Sequence, residues 1–115
     1  MKAVNSQGAA SFPAEKAQGL QNVLNISKDA KIVLKSNIWS EAKLVNGSRG
    51  TVKFLIYEEG KLPQNHQPAF IICHFPDYIG PSSVPNQEKL VPLVAITKTW
   101  FDKNKQFSRT QFPII

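Results

Sequence analysis

From residue 30 onward the apolar residues recur with a period of two, and that alternation restricts most of the chain to β structure. In AKIVLKS (residues 30–36), Ile32 and Leu34 share one face while Lys31, Val33 and Lys35 share the other. In TVKFLIY (residues 51–57), Val52, Phe54 and Ile56 alternate with Lys53, Leu55 and Tyr57. AFIICHF is apolar at nearly every position, as in a strand covered on both faces. KLVPLVAITKTWF is the longest such run, and Pro92 marks it as an edge or bulged strand. QFSRTQFPII closes the chain with Phe107 and Phe112 as anchors. The inward set predicted from these runs is Ile32, Leu34, Val52, Phe54, Ile56, Ile71, Phe75 and Val94.

Turn chemistry separates the runs. Asn46-Gly47 is the strongest two-residue turn signal, and Gly50 marks a second position where the backbone needs freedom. Glu59-Gly60, Pro76, Gly80-Pro81 and Pro85-Asn86 separate the later runs. Five short strands predict an all-β fold, a small five-stranded barrel of SH3-like or alternatively OB-like form. Residues 30–107 make that barrel. Residues 1–29 form an irregular N-terminal lead, flexible to Pro13. AEKAQGLQNVL then forms a short helix or turn in which Leu20, Val23 and Leu24 share a face; Gly19 weakens it.

A length of 115 residues fits one domain, and 42% hydrophobic residues suffice for a modest core. No apolar run nears the ~20 residues of a membrane span, so no membrane partner is expected. Residues 1–13 lack the apolar segment of a secretory signal. A single cysteine, Cys73, excludes an internal disulfide. The expected location is intracellular. Fourteen cations oppose eight acids, a net charge of +6, which favours anionic partners and nucleic acid first. Only Arg49 and Arg109 are arginines, so contact with the phosphate backbone is favoured over base reading.

Motifs for chemistry are sparse. Neither GxxxxGK[ST] nor GxGxxG occurs, so no nucleotide cofactor is expected on this chain. His66, Cys73 and His74 lie close in sequence, but a structural zinc needs four ligands, and adjacent strand residues point to opposite faces. The same parity separates Glu58 from Glu59. No catalytic, cofactor-binding or metal-ligating residue is therefore assigned. What remains is a basic and aromatic set: Lys31, Lys35, Trp39, Lys43, Arg49, Lys53, Lys98, Trp100, Lys103, Lys105 and Arg109. Such residues can stack bases and neutralise phosphates, or can be core aromatics and a solvated face.

One stretch carries a resemblance. Gly19-Leu20, the apolar Ile32 to Leu34 with Asn37, Leu44-Val45-Asn46-Gly47 and Gly50-Thr51-Val52 follow the order of a segment in the petite-integration-frequency (Pif) family of superfamily-one-B DNA helicases. AFIICHFPDYIGP, TKTWF and FSRTQFPII are similar to later strands of the same accessory SH3-like domain, so the likeness spans residues 17–115. It implies a parent enzyme that moves 5′-to-3′ on single-stranded DNA with ATP and magnesium. It also implies nuclear or mitochondrial work in DNA repair, recombination or telomere maintenance if the parent is eukaryotic. The family's Walker loop, acidic magnesium motif and arginine finger have no counterpart here, so the chain resembles a fragment that does not hydrolyse ATP alone. Residues 108–115 would return to the motor domains, which become partners alongside weakly held single-stranded DNA.

Residues 37–50 are the expected DNA contact. Asn37, Asn46, Gly47 and Gly50 shape the loop; Trp39, Lys43 and Arg49 within it, and Lys53 just beyond, supply the contacts. The alternative is a stand-alone barrel that binds a protein segment in an aromatic groove.

Overall fold

A computed structural model describes residues 2–60, 67–82 and 85–115. The fold is all-β, with seven strands and two short 3₁₀ turns, Ala9–Ser11 and Ser40–Ala42, among the described residues. The strands are β1 (Val4–Asn5), β2 (Lys31–Val33), β3 (Arg49–Ile56), β4 (Phe70–His74), β5 (Leu90–Leu93), β6 (Ile96–Asp102) and β7 (Lys105–Gln111). They form two antiparallel sheets, β2-β3-β4-β5 and β1-β7-β6. The longest predicted run is thus two strands, divided at Val94 and Ala95, and Pro92 does lie on the edge strand of its sheet.

Among the described residues the strand ladders fall into these two sheets. The C-terminal residues link them. Val33 and Ile115 exchange backbone bonds of 3.1 and 3.0 Å, and Lys35 N–H donates to the Pro113 carbonyl at 2.7 Å. Pro113 lacks an N–H, and the pairing asks it only for its carbonyl. Ile114 is fully buried beside Leu34, so the apolar residues after β7 pack within this fold.

The main core lies against the four-stranded sheet. Ile32, Leu34, Val52, Ile71 and Phe75 are buried there as alternation predicts, with Phe112 and Ile114 from the chain end. Phe54, Ile56 and Val94 are not: each is exposed. The cause in β3 is a bulge. Val52 pairs with Cys73 and Phe54 with Ile72, so Lys53 is an extra residue and reverses the parity beyond it. Leu55 therefore packs against the core, while Phe54 and Ile56 face outward. Val94 lies in the corner between β5 and β6, where no strand parity applies.

A second cluster covers one face of the other sheet: Ala9, Ala17 and Leu20 of the lead against Trp100 and Phe107, with Phe12 and Ile96 packed on it. Residues 14–19 are turn rather than helix, Gly19 having φ +91°. Val23 is exposed, and Leu20 and Leu24 pack in different clusters, Leu20 in this one and Leu24 in the main core, so the three do not share a face. No helix among the described residues is long and apolar enough to cross a membrane.

Candidate nucleic-acid interface

The loop between β2 and β3 is ordered by its own polar atoms. Asn46 N–H donates to Asn37 Oδ1 at 2.8 Å, which ties its two ends together. Trp39 and Leu44 form an isolated antiparallel bridge, with bonds of 3.0 Å in both directions. Ser48 Oγ donates to the Lys43 carbonyl at 3.1 Å and accepts from Val45 N–H at 3.0 Å. Ser48 N–H closes a turn on the Val45 carbonyl at 2.9 Å, and Gly47 takes φ +100° in its third position, as in a type II turn. Gly50 differs from expectation: it lies within β3 and makes no bend. A Cβ there would sit 2.8 Å from the His74 carbonyl oxygen and from the Phe75 ring, so close strand approach is what requires glycine.

The predicted contact residues separate into three places. Trp39 is 45% exposed and its ring lies 6.4 Å from that of Tyr78. Lys43 lines an open groove of about 590 Å³ with Val45, Gly47, Asp77 and Ile79. Arg49 instead borders a second depression with Lys31, Ile32 and Val33. Lys53 sits at the bulge, 3.9 Å from Asp29 in an exposed ion pair. One loop thus carries a stacking-competent ring and a cation, and the β2–β3 edge beside it adds Lys31 and Arg49.

Two members of the basic and aromatic set leave the surface. Trp100 is buried under the lead. Arg109 is fully buried, and its guanidinium donates to neutral acceptors: Nε to Asn5 Oδ1 (2.8 Å), Nη1 to Leu20 O (2.9 Å), and Nη2 to Ala9 O (3.1 Å) and Phe12 O (2.7 Å). Its Cζ lies 5.8 Å from the Trp100 ring centre. Burial lowers its pKa from the ordinary arginine value. Arg109 thus ties the lead to β7 and offers nothing to a phosphate. Phe101, absent from the set, is the surface aromatic of β6 at 68% exposed. The signal was available: with Trp100 inward, alternation sends Phe101 outward.

Cys73 and His74 lie on opposite faces of β4, and burial pushes the Cys73 thiol up to about 12. His66 lies outside the described residues. Among the described residues no three His, Cys, Asp or Glu side chains converge as metal ligands would.

No family model matches the sequence, and no curated protein does. Solved structures do resemble it. An unliganded Pif1 from a Bacteroides species aligns over 99% of this chain with a TM-score of 0.58 at 17% identity. A double mutant of the Pif1 helicase from Bacteroides aligns over 99% with a TM-score of 0.56 at 16% identity. The chain spans 30% and 22% of those two chains, respectively. At such identity the likeness establishes a shared fold.

Proposed function

We propose that this chain is the accessory β domain of a Pif-type DNA helicase, a unit that flanks single-stranded DNA and positions motor domains upon it. The observation that carries this reading is that nearly the whole chain follows a minor part of a helicase structure. The order of Leu44-Val45-Asn46-Gly47, Gly50-Thr51-Val52 and the later strands agrees with it. The loop and its flank supply Trp39, Lys43, Arg49 and Lys53 for contact with the strand, with ordering costs already met by Asn37, Asn46 and Gly47. Binding by this surface is electrostatic, with Kd of about 10⁻⁴–10⁻⁶ M and a steep fall with salt.

On this reading ATP and magnesium are held by the motor domains of the parent enzyme and not by this chain. There is no glycine-rich loop with its lysine, the described acids do not converge, and Arg109 is spent on backbone carbonyls. Hydrolysis, and movement in the 5′-to-3′ direction, belong to the motor domains of the parent enzyme.

A gel-shift series with single-stranded DNA tests the reading. Lys43→Ala and Arg49→Ala each weaken binding and lower its salt dependence; unchanged affinity and slope in both would remove it. The unmodified chain with saturating DNA shows no ATP turnover above a denatured control.

A further inference from the structure

We propose that the outer face of the β6–β7 hairpin is a second contact for single-stranded nucleic acid, with Phe101 as a base-stacking ring and Lys103 at the hairpin tip as a phosphate partner. The inference rests on the nucleic-acid reading above but uses a site apart from the β2–β3 loop.

In this hairpin Trp100 pairs with Phe107, and both turn inward beside Arg109. Phe101 is thereby fixed on the outside, opposite Gln106. The rest of that face is short and polar. Thr99 lies opposite Ser108, and Thr97 opposite Thr110 with their hydroxyl oxygens 2.6 Å apart. The ring is 68% exposed, and its neighbours along the hairpin's outer face are hydroxyl and amide side chains. The other exposed apolar side chain of this sheet face, Val4, lies opposite Thr110 on β1, two strands away from Phe101, so the two do not form one contiguous apolar patch. A base finds a π-face with polar groups around it.

The tip supplies the charge. Lys103 and Asn104 have φ of 50° and 65°, the two left-handed positions of a type I′ turn, which holds Lys103 at the end of a rigid hairpin. Lys105 follows, its Nζ 5.3 Å from the Phe107 ring centre on the other side. The acid of the hairpin, Asp102, is 3.7 Å from Lys16 of the lead. The outer face thus has Lys103 at its tip, while Lys105 lies over Phe107 on the opposite face.

The test uses the full chain and a labelled oligothymidylate of about twelve nucleotides, followed by anisotropy between about 50 and about 200 mM salt. Phe101→Ala weakens binding roughly tenfold, as loss of one stacked base predicts. Phe101→Trp restores it, with emission quenched on binding relative to the unmodified chain. Lys103→Ala lowers the slope of log K against log salt by about 0.7, and Lys105→Ala, on the opposite face, leaves it unchanged. Phe101→Ala binding like the unmodified chain overturns the proposal, as does equal binding of a duplex with no response to Phe101→Ala. If Lys43→Ala and Arg49→Ala weaken binding while the hairpin variants do not, this proposal alone falls. No binding by the unmodified chain defeats both readings.

Discussion

Arg109 carries a guanidinium into the interior and satisfies it with one side-chain amide and three backbone carbonyls. Its length and planar fork suit four separated acceptors, which a lysine cannot reach together. Arg109→Lys should cost about 3 kcal/mol in urea unfolding, because charged hydrogen bonds are lost and carbonyls stay buried without donors; a cost under about 0.5 kcal/mol would show that the lead is held by other contacts. The composition counts Arg109 only as a surface cation, since nothing in a tally of charges separates a buried arginine from an exposed one. The alternation does: Phe107, Arg109 and Gln111 share a face, and that face is inside. Cys73 gives a second prediction. Its thiol keeps the proton to about pH 12 when folded, against 9.0 for a free thiol. The raised folded value leaves stability intact below about 9.0 and removes it as pH climbs toward 12, because only the unfolded thiol ionises in that window. Urea unfolding at successive pH values above 9.0 should show a loss, at most about 1.4 kcal/mol per pH unit, that a Cys73→Ala variant lacks.

At the scale of elements, β3 shows both the reach of the alternation and where it stops. Val52 and its partner Cys73 are buried as period two requires, and the strand ends where Tyr57 and Glu58 lead into the turn. Beyond Lys53 the parity reverses, and no residue type in TVKFLIY announces it: Phe54 and Leu55 are both acceptable core residues, so the bulge is decided by pairing with β4 rather than by β3 itself. The same holds at the candidate site. Asn46-Gly47 announces a turn, but that Lys43 and Arg49 border different depressions depends on the path of the chain between them. Two substitutions check the reversed parity. Phe54→Ser, on the outer face, should change stability by less than about 1 kcal/mol, whereas Ile71→Ala in β4 should cost about 3 kcal/mol. Comparable losses would place Phe54 inside and remove the bulge. Gly50→Ala should itself cost about 2 kcal/mol or more, since its Cβ meets the His74 carbonyl and the Phe75 ring without room to relax.

Over the whole molecule, the two sheets have separate apolar clusters, and the N-terminal segment is what covers the second. Composition reads residues 1–13 as flexible because Asn, Ser, Gln, Gly and Ala dominate them, and short-range pattern cannot register contacts made a hundred positions away. Those contacts define the segment. Val4–Asn5 pairs with β7, Ser108 N–H donates to Ser6 Oγ at 2.9 Å, and Asn5 Nδ2 donates to Asn22 Oδ1 at 2.7 Å while its Oδ1 receives Arg109. Phe12 adds an edge-on contact to Trp100 with ring centres 5.7 Å apart. Without this cover Trp100 and Phe107 face water, and the Arg109 guanidinium loses all four of its acceptors. The four-stranded sheet draws on the segment for little, since its own core closes with Phe112 and Ile114. Removing residues 2–20 should therefore separate the two halves in hydrogen exchange. Amides of β3 and β4 keep slow exchange, while those of β6 and β7 exchange faster by about a hundredfold or more, equivalent to about 3 kcal/mol of lost protection. Dye binding to the uncovered aromatics should rise in parallel. Equal protection in both sheets after the truncation would show that the β6–β7 hairpin holds its fold unaided, and that the lead lies on the domain without forming part of it.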